Sequence, residues 1–314
     1  MTNFQQTLST ITDYIKADIF PGASLALYDG QDWQEHYLGT QDGNHPVVPG
    51  LTYDLASVSK VVGVGTLCLF YLQVGKLDLD EKLSTYYPAV VDKTLTLRQL
   101  LSHSSGIDPF IRNRDDLDQA GLIAAINAIK VKADKPFLYT DINFILLGLM
   151  LEKVSGTTLD KLFDSEIFQP FGMFETGFGP VEVAVPTVKG VTGGTVHDPK
   201  ARVLKEHTGS AGLFSTLKDL EIFVNHYLTD DFAKNMTQNI SQSNKERSVA
   251  WDLQGEWILH TGYTGTFVLI NIPAQRAAIF LSNRTYYKDE RAQWIEDRDA
   301  LIEIMKEELV HSDK

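Results

Sequence analysis

Strand-like segments of the sequence lie near both ends of the chain, separated by a long stretch of a different character. GASLALYDG and WQEHYLGTQDG indicate a hairpin with its turn at Asp29 and Gly30. RSVAWDL, WILHTG, GTFVLINI and AAIFLSN, near the C-terminus, are spaced like an antiparallel meander. Neither group alone buries an independent core. We therefore predict that the two ends of the chain form one antiparallel sheet.

The stretch between the predicted strands, from Asp78 to about Val203, is mainly helical or irregular in pattern. DLDQAGLIAAINAI and INFILLGLMLEKVSG have helical periodicity. LDKLFDSEIFQPFGM indicates a short helix ended by Pro170 and Gly172. GPVEVAVPTVKGVTGGTVHDPKA has the composition of a long loop with little regular structure.

Two further helices are predicted at the ends of the chain. The N-terminus is amphipathic, and the last helix runs from about Asp289 to Leu309. The fold class that follows is α/β (α+β), with an antiparallel sheet flanked by helices. We predict that residues 1–68 and 206–314 form a discontinuous sheet domain. Residues 69–205 are predicted to form a mainly helical inserted domain.

The composition and charge of the chain argue against nucleic acid and membranes as partners. A hydrophobic content of 43% is enough for a sizeable core. The net charge of −13, without a dense cluster of Lys and Arg, argues against nucleic acid and anionic membranes. The longest apolar stretch, Val61 to Leu72, is shorter than the roughly 20 residues that a membrane span needs. We expect no membrane insertion.

The cellular compartment is also an expectation from the sequence. The single cysteine, Cys68, allows no intrachain disulfide and is compatible with a reducing environment. The N-terminal residues have no basic segment followed by an unbroken apolar run, which is the pattern of a secretory signal. A cytoplasmic location is therefore expected.

The stretch YDLASVSKVVGVG places Ser57 one helical turn before Lys60 at the head of an apolar run. The pair is either a polar start to a helix or a nucleophile with its base. A buried lysine without a partner is costly, and burial lowers the pKa of an amine toward that of a base. Backbone N–H groups at a helix start also favour a developing oxyanion. The local pattern leaves both interpretations open.

A second Ser-x-x-Lys pattern, Ser215 with Lys218 in LFSTLKDLEIF, has a structural explanation. Thr216 and Asp219 resemble a capping box at the start of an amphipathic helix, with Asp in place of Glu or Gln. The motif alone is therefore weak evidence, since a chain of this length should contain about one by chance.

Four further segments, taken in their order along the chain, distinguish the Ser57–Lys60 motif from the second Ser-x-x-Lys pattern. They are TLRQLLSHSSGIDPF, PFLYTDINFILLGLMLEKVSG, EHTGSAGLFSTLKDL and WILHTGYTGTFVLINI. With the Ser57 motif, this order resembles the serine β-lactamase and penicillin-binding protein superfamily, in its class C-like branch with related esterases and D-aminopeptidases. That superfamily combines Ser-x-x-Lys, a Tyr-x-Asn motif and a Lys-Thr-Gly or His-Thr-Gly motif. The resemblance extends from roughly Gly22 to Asn283.

The resemblance implies a role for each matching residue. Ser57 would be the acylated nucleophile, Lys60 its partner base and Tyr139 the group that relays protons to the leaving group. The oxyanion hole would be formed by the backbone N–H groups of Ser57 and Tyr263. Substrate would be bound along a strand edge and at the helical motif, by residues His260, Thr261, Gly262 and Asp141.

Two positions depart from the pattern of the superfamily. Asp141 stands where many members have Asn, and a carboxylate near Lys60 would favour the ammonium form. Tyr139 would then be the better proton acceptor. His260 replaces a lysine that offers a permanent cation, whereas histidine is mostly neutral at pH 7. This favours a neutral ester over a β-lactam as substrate.

Three further histidines lie near these motifs, and His103 is predicted to be structural. His103 lies in a turn-forming SHSSG segment, and the superfamily does not use it in catalysis. His197 and His207 have no metal-ligand spacing, and the sequence has no HExxH or paired CxxC motif. We expect neither a metal nor another cofactor.

The leading hypothesis is a serine hydrolase that forms an acyl-enzyme, most simply a carboxylesterase on small esters. Three alternatives remain open within the same fold: a D,D-peptidase or D-aminopeptidase, a weak β-lactamase, and a non-catalytic binding protein. In each case the expected partner is a small ester or amide. An α/β-hydrolase is excluded because the sequence has no GxSxG nucleophile elbow.

Overall fold

A computed structural model describes residues 4–311, which form helices and two antiparallel sheets. The strands in chain order are β1 Gly22–Tyr28, β2 Trp33–Gly39, β3 Thr52–Asp54, β4 Gly177–Phe178, β5 Leu213–Thr216, β6 Asp252–Gln254, β7 Trp257–Thr261, β8 Phe267–Asn271 and β9 Arg276–Ser282. The α-helices are α1 Gln5–Lys16, α2 Thr66–Gln73, α3 Leu83–Tyr86, α4 Leu97–Leu101, α5 Gln119–Asn127, α6 Asp141–Ser155, α7 Leu159–Phe163, α8 Gln169–Phe171, α9 Pro199–Leu204, α10 Leu217–Thr229 and α11 Arg291–His311.

The larger sheet has six strands in the order β2-β1-β9-β8-β7-β6. The N-terminal hairpin joins the C-terminal meander where β1 pairs antiparallel with β9, from Ala23 opposite Ser282 to Tyr28 opposite Ala277. The prediction that both ends of the chain share one sheet is therefore confirmed. The predicted fold class, an antiparallel sheet flanked by helices, is also confirmed.

Alternation along the strands gives the larger sheet two buried faces. On β8, Phe267 and Leu269 pack against α1 and α11, whereas Val268 and Ile270 face the large core formed with the helical body. This is the period of two that a pleated strand imposes on its side chains. The sheet is a central layer with helices on both sides.

One predicted strand is largely wrong. Of the segment RSVAWDL, only the last two residues, Asp252 and Leu253, lie in a strand, because β6 begins at Asp252. The preceding residues turn instead: Ala250 has a left-handed φ of 71°, and the buried Arg247 side chain donates to the Ala250 carbonyl at 2.9 Å. This internal hydrogen bond holds the segment in a turn.

The smaller sheet, in the order β3-β5-β4, is absent from the predictions. Its strands have only three, four and two residues, too short for an alternation pattern to show. It joins strands from both sides of the predicted boundary at residue 206. The division into residues 1–68, 69–205 and 206–314 stays a prediction.

The segment that carries Ser57 and Lys60 runs through the large core. It consists of a 3₁₀ turn at Ala56–Val58, a π-helical turn at Val61–Gly65 and then α2. The stretch Ala56–Gln73 has the length and mean hydropathy of a candidate membrane span, but 78% of it is buried inside the protein, as in a core helix. A Cβ on Gly63 would lie 2.3 Å from Phe163, so glycine permits this close packing.

Candidate active site

Ser57 lies in the 3₁₀ turn between β3 and the π-helical turn, and its side chain is half-buried. The residue before it, Ala56, has a left-handed φ of 46°, which is strained for a residue with a Cβ. The buried Asp54 carboxylate stabilises this turn by accepting a hydrogen bond from the Ala56 N–H at 2.8 Å. The turn therefore presents the Ser57 hydroxyl in a fixed position.

Lys60 is fully buried and donates three hydrogen bonds. Its Nζ lies 2.8 Å from each of three acceptors: Ser57 Oγ, Asp141 Oδ1 and the Ser210 carbonyl oxygen. Burial alone lowers the pKa of this amine, but Asp141 and then Tyr139 outweigh it and hold the Lys60 pKa above its ordinary value. Lys60 is therefore an ammonium whose three protons are all engaged.

Asp141 is the first residue of α6, and the Thr140 side chain caps that helix by accepting from the Ile142 N–H at 3.3 Å. One carboxylate oxygen receives Lys60, and the other lies 2.9 Å from Lys200 Nζ. Burial favours the neutral acid, but the two lysines together hold the Asp141 pKa well below its usual range. Asp141 is thus a carboxylate shared by two lysines.

Tyr139 lies at the mouth of the site, with 39% of its surface exposed. Lys60 Nζ is 5.1 Å from the centre of its ring. The centre of the ring also lies 4.4 Å from that of the buried His103 ring, whose Nδ1 is 2.9 Å from Asn143 Nδ2. That His103 is structural stays a prediction; its direct contact with Tyr139 is one that the sequence does not indicate.

The HTG triplet forms the end of β7 and the turn that follows. His260 is buried, and burial, followed by Lys60 and Arg247, holds its pKa well below 6.5, so its ring is neutral. Neither ring nitrogen has a hydrogen-bond partner within residues 4–311. The His260 ring centre lies 6.4 Å from that of Tyr139, which brings the triplet to the same site as Ser57 and Lys60.

Gly262 permits close contact between this turn and the Ser57 turn. A Cβ there would lie 2.1 Å from Thr266 Oγ1 and 2.7 Å from the Leu55 carbonyl oxygen. Hydroxyl groups join the same two turns: Thr264 donates to the Asp54 carbonyl and Thr266 to the Leu55 carbonyl, both at 3.0 Å. These contacts fix the two turns that carry the predicted oxyanion-hole residues relative to each other.

The predicted second oxyanion residue, Tyr263, follows Gly262. Its N–H has no acceptor within the described part of the chain. The side chain is held in place because the hydroxyl donates to Asp289 and the Arg284 guanidinium stacks 4.7 Å from the ring centre. Arg284 Nε also donates to the Tyr263 carbonyl at 2.9 Å. The backbone at Tyr263 is thus constrained from two directions.

A cleft of about 220 Å³ opens beside Tyr139, His260 and Thr261. Lys245, Arg247 and Arg298 supply three cations to its wall, and Asp252 and Asp299 supply two carboxylates. Arg298, on α11, donates to Thr261 Oγ1 at 3.4 Å. The sequence did not reveal this cleft, because its cations come from segments without a recognisable motif.

The second Ser-x-x-Lys pattern is structural, as expected from its sequence. Ser215 Oγ lies 2.7 Å from Thr176 Oγ1, and Lys218 pairs with Glu221 at 2.8 Å. Thr216 caps α10 by accepting from the Asp219 N–H at 3.3 Å.

His207 and His197, which lack metal-ligand spacing in the sequence, have separate protein partners. His207 Nδ1 lies 2.8 Å from Glu152, and His197 Nδ1 lies 3.1 Å from Thr187 Oγ1. Within residues 4–311 no group of three or more His, Cys, Asp or Glu side chains is arranged to hold a metal.

Comparison with known proteins identifies the family of the chain. The beta-lactamase family model matches residues 9–302. A protein of Escherichia coli (strain K12), provisionally named D-alanyl-D-alanine carboxypeptidase, is 25% identical over 303 residues, which cover 76% of this chain and 70% of that one.

Solved structures show the same fold. EstCE1, described as a hydrolase with promiscuous acyltransferase activity, superposes with a TM-score of 0.75 at 18% identity and covers 95% of this chain and 98% of its own. A beta-lactamase/D-alanine carboxypeptidase from Yersinia pestis gives a TM-score of 0.76 at 15% identity, covering 96% and 98%. The family match extends over nearly the whole chain and includes every segment of the site. The chain therefore belongs to the beta-lactamase family of serine hydrolases.

Proposed function

We propose that the protein hydrolyses small carboxylic esters through an acyl-enzyme on Ser57. The observation that carries the proposal is the 2.8 Å contact between Ser57 Oγ and the buried Lys60 ammonium, on a turn that is open to substrate. A serine hydroxyl becomes a nucleophile when a positioned group takes its proton. The surrounding residues supply such a group.

Tyr139 is the proton acceptor in this proposal. Lys60 cannot take a proton while it is an ammonium with all three N–H groups engaged. Its positive charge lies 5.1 Å from the Tyr139 ring centre, close enough to stabilise the negative charge that a proton-accepting Tyr139 carries. Lys60 thus serves to orient Ser57 and to stabilise negative charge on Tyr139.

The chemical steps follow from these roles. Ser57 Oγ attacks the ester carbonyl carbon while its proton passes to Tyr139, and the carbonyl oxygen becomes an oxyanion bound by the N–H groups of Ser57 and Tyr263. When the tetrahedral intermediate collapses, the carbon–oxygen bond to the leaving group breaks and Tyr139 returns the proton to the alcohol. Water then attacks the acyl-enzyme, releasing the acid and restoring Ser57.

A panel of three substrates tests the proposal: a short-chain aryl ester, a chromogenic cephalosporin and a D-alanyl peptide, each with wild type and Ser57→Ala. Ester turnover that disappears in Ser57→Ala supports it. Ester turnover that survives this substitution contradicts the site assignment. If none of the three is turned over and intact mass shows no covalent adduct, a non-catalytic binding protein is favoured instead.

The cationic cleft favours a second candidate, a carboxypeptidase acting on D-amino-acid peptides. His260 offers no permanent charge, but Arg247, Lys245 and Arg298 place cations beside Thr261. Arg247 is buried, and its Nη1 and Nη2 bind Asp252 and the Ala250 carbonyl, but its Nε has no partner within the described residues. Guanidinium groups pair well with carboxylates. Selective loss of peptide turnover in Arg298→Gln, with ester turnover kept, would favour this candidate over the esterase.

A further inference from the structure

A short segment at the end of the irregular loop and the start of α9, residues 197–200 (HDPK), contacts several parts of the site. The His197 N–H donates to Asp54 Oδ2 at 2.7 Å, and its ring centre lies 5.6 Å from that of Tyr263. Three residues later, Lys200 reaches Asp141. The segment therefore links the Ser57 turn, the Tyr263 turn and the start of α6.

Lys200 is held where it meets Asp141. Its side chain is only 15% exposed, and Nζ lies 2.9 Å from Asp141 Oδ2 and 3.2 Å from Asp198 Oδ2. Asp198 also caps α9 by accepting from the Ala201 N–H at 2.8 Å, which fixes the helix that carries Lys200. Burial lowers the Lys200 pKa, but Asp141 and Asp198 raise it above its ordinary value, so the amine is a cation.

Lys60 and Lys200 therefore occupy different oxygens of one carboxylate. Charged and titratable groups face this cluster from several elements. They are Asp198 at the N-cap of α9, Tyr139 before α6, His103 after α4, His260 from β7 and Arg247 before β6. The two histidines are neutral because their pKa values are held well below 6.5 by burial and by nearby cations. The two lysines and two aspartates balance in charge.

We propose that Lys200 is a positioning residue for hydrolysis, which shares the Asp141 carboxylate with Lys60 and so limits the negative charge that surrounds Ser57 and Tyr139. The inference rests on the proposed function, since it concerns activation of the same serine. Without Lys200, the Asp141 charge would be neutralised by Lys60 alone. The cluster would become more negative, and the group that accepts the Ser57 proton would hold its own proton more tightly.

The test measures how the reactivity of Ser57 depends on pH in Lys200→Gln, Lys200→Arg and Lys189→Gln. The readout is the rate of labelling by a fluorophosphonate, in which the Ser57 Oγ–phosphorus bond forms, fluoride leaves and the serine proton passes to the acceptor. Lys189 is the matched control because it lies in the same loop and its side chain is exposed. Lys200→Met replaces Lys200→Gln if the latter fails to fold.

We expect the acidic limb of the profile to move to higher pH by about one unit in Lys200→Gln, because the favourable cation is lost. Lys200→Arg should restore the wild-type profile, and Lys189→Gln should match wild type. In an Asp141→Asn background, the effect of Lys200→Gln should fall to less than half, because no carboxylate then holds the Lys200 amine beside Lys60. An unmoved profile, or an equal shift in that background, would overturn the proposal.

The labelling readout separates this inference from the proposed function. If wild type labels on Ser57 but hydrolyses no ester and no D-alanyl peptide, the proposed function fails while the pH profiles still decide the role of Lys200. If wild-type Ser57 is not labelled at all, both fail, because there is no activated serine for Lys200 to influence. A role confined to stability would lower the melting temperature of Lys200→Gln without moving its pH profile, and would also overturn the proposal.

Discussion

Lys60 and Asp141 form an ion pair of 2.8 Å in which the lysine side chain has no exposed surface. The pair keeps Lys60 protonated in a place where burial alone would favour the neutral amine. A lysine that stays an ammonium can orient Ser57 and stabilise a negative charge nearby, but it cannot itself accept the serine proton. In the proposed mechanism, Lys60 therefore orients Ser57, and Tyr139 accepts the serine proton.

Asp141→Asn tests whether the charge of this carboxylate affects the pH dependence of acylation. Without the carboxylate, the charge of the buried Lys60 is no longer balanced and the site becomes more positive, which favours loss of the proton from the acceptor group. We expect the acidic limb of the acylation profile to move to lower pH by about one unit. The profile of Asp198→Asn provides a comparison, since that carboxylate contacts Lys200 and not Lys60. An unchanged profile in Asp141→Asn would show that the carboxylate does not tune the site.

Tyr139→Phe removes the proposed proton acceptor and keeps the ring that packs against His103. We expect the rate of acylation to fall by about 10² to 10⁴, the usual contribution of a positioned acid or base. The melting temperature should change little because the hydroxyl lies on a half-exposed side chain. Rapid-mixing measurement of acyl-enzyme formation gives this rate. Acylation at the wild-type rate would exclude Tyr139 as the acceptor.

Sequence alone located Ser57, Lys60, Tyr139 and the HTG triplet, because each lies in a short motif whose order along the chain resembles that of a known superfamily. The structure brings all of these residues together. The alternating strands β1, β7, β8 and β9 were predicted for a different reason, since each has five or seven residues and a clear apolar pattern.

The sequence did not reveal the contacts made by single residues far apart in the chain. Lys200 follows an irregular loop and meets Asp141 only because Asp198 caps a short helix there. His103 reaches Tyr139 through a turn with a left-handed φ of 54°, which no hydrophobic period indicates. Arg247 looked like the start of a strand, but it turns back to bind the Ala250 carbonyl. Such contacts depend on tertiary packing, which spacing does not encode.

Gly262→Ala tests the contact between the two turns that carry the oxyanion-hole residues. The new Cβ would come within 2.7 Å of the Leu55 carbonyl oxygen, so one turn must move. We expect kcat for ester hydrolysis to fall by about 10² or more, comparable with the loss of one oxyanion donor. The matched control is Gly177→Ala, because a Cβ there meets nothing within 4 Å. Equal kcat values for the two variants would show that this close contact is not needed.

His260→Gln tests the neutral state of the buried histidine through stability. The folded-state pKa of His260 lies well below 6.5, so the folded protein resists binding a proton that the unfolded chain accepts. This contribution to stability is present above pH 6.5 and is lost as the pH falls below it. Below pH 6.5, wild type should therefore lose more unfolding free energy than His260→Gln, with a difference that approaches about 1.4 kcal/mol per pH unit as the pH falls toward 5.

Urea unfolding at several pH values measures this difference. The control is His45→Gln, which removes a histidine that is exposed and not buried. Parallel pH dependence in wild type and His260→Gln would mean that His260 is not held neutral by the fold.

The central claim is that Ser57 becomes acylated, and intact mass spectrometry tests it most directly. Wild type and Ser57→Ala are mixed with an activated aryl ester, quenched in acid within the first turnover, and weighed. We predict that wild type gains the mass of one acyl group, that peptide mapping places it on Ser57, and that the Ser57→Ala protein gains nothing. An acyl group on another residue, or one that also forms in Ser57→Ala, would contradict the account.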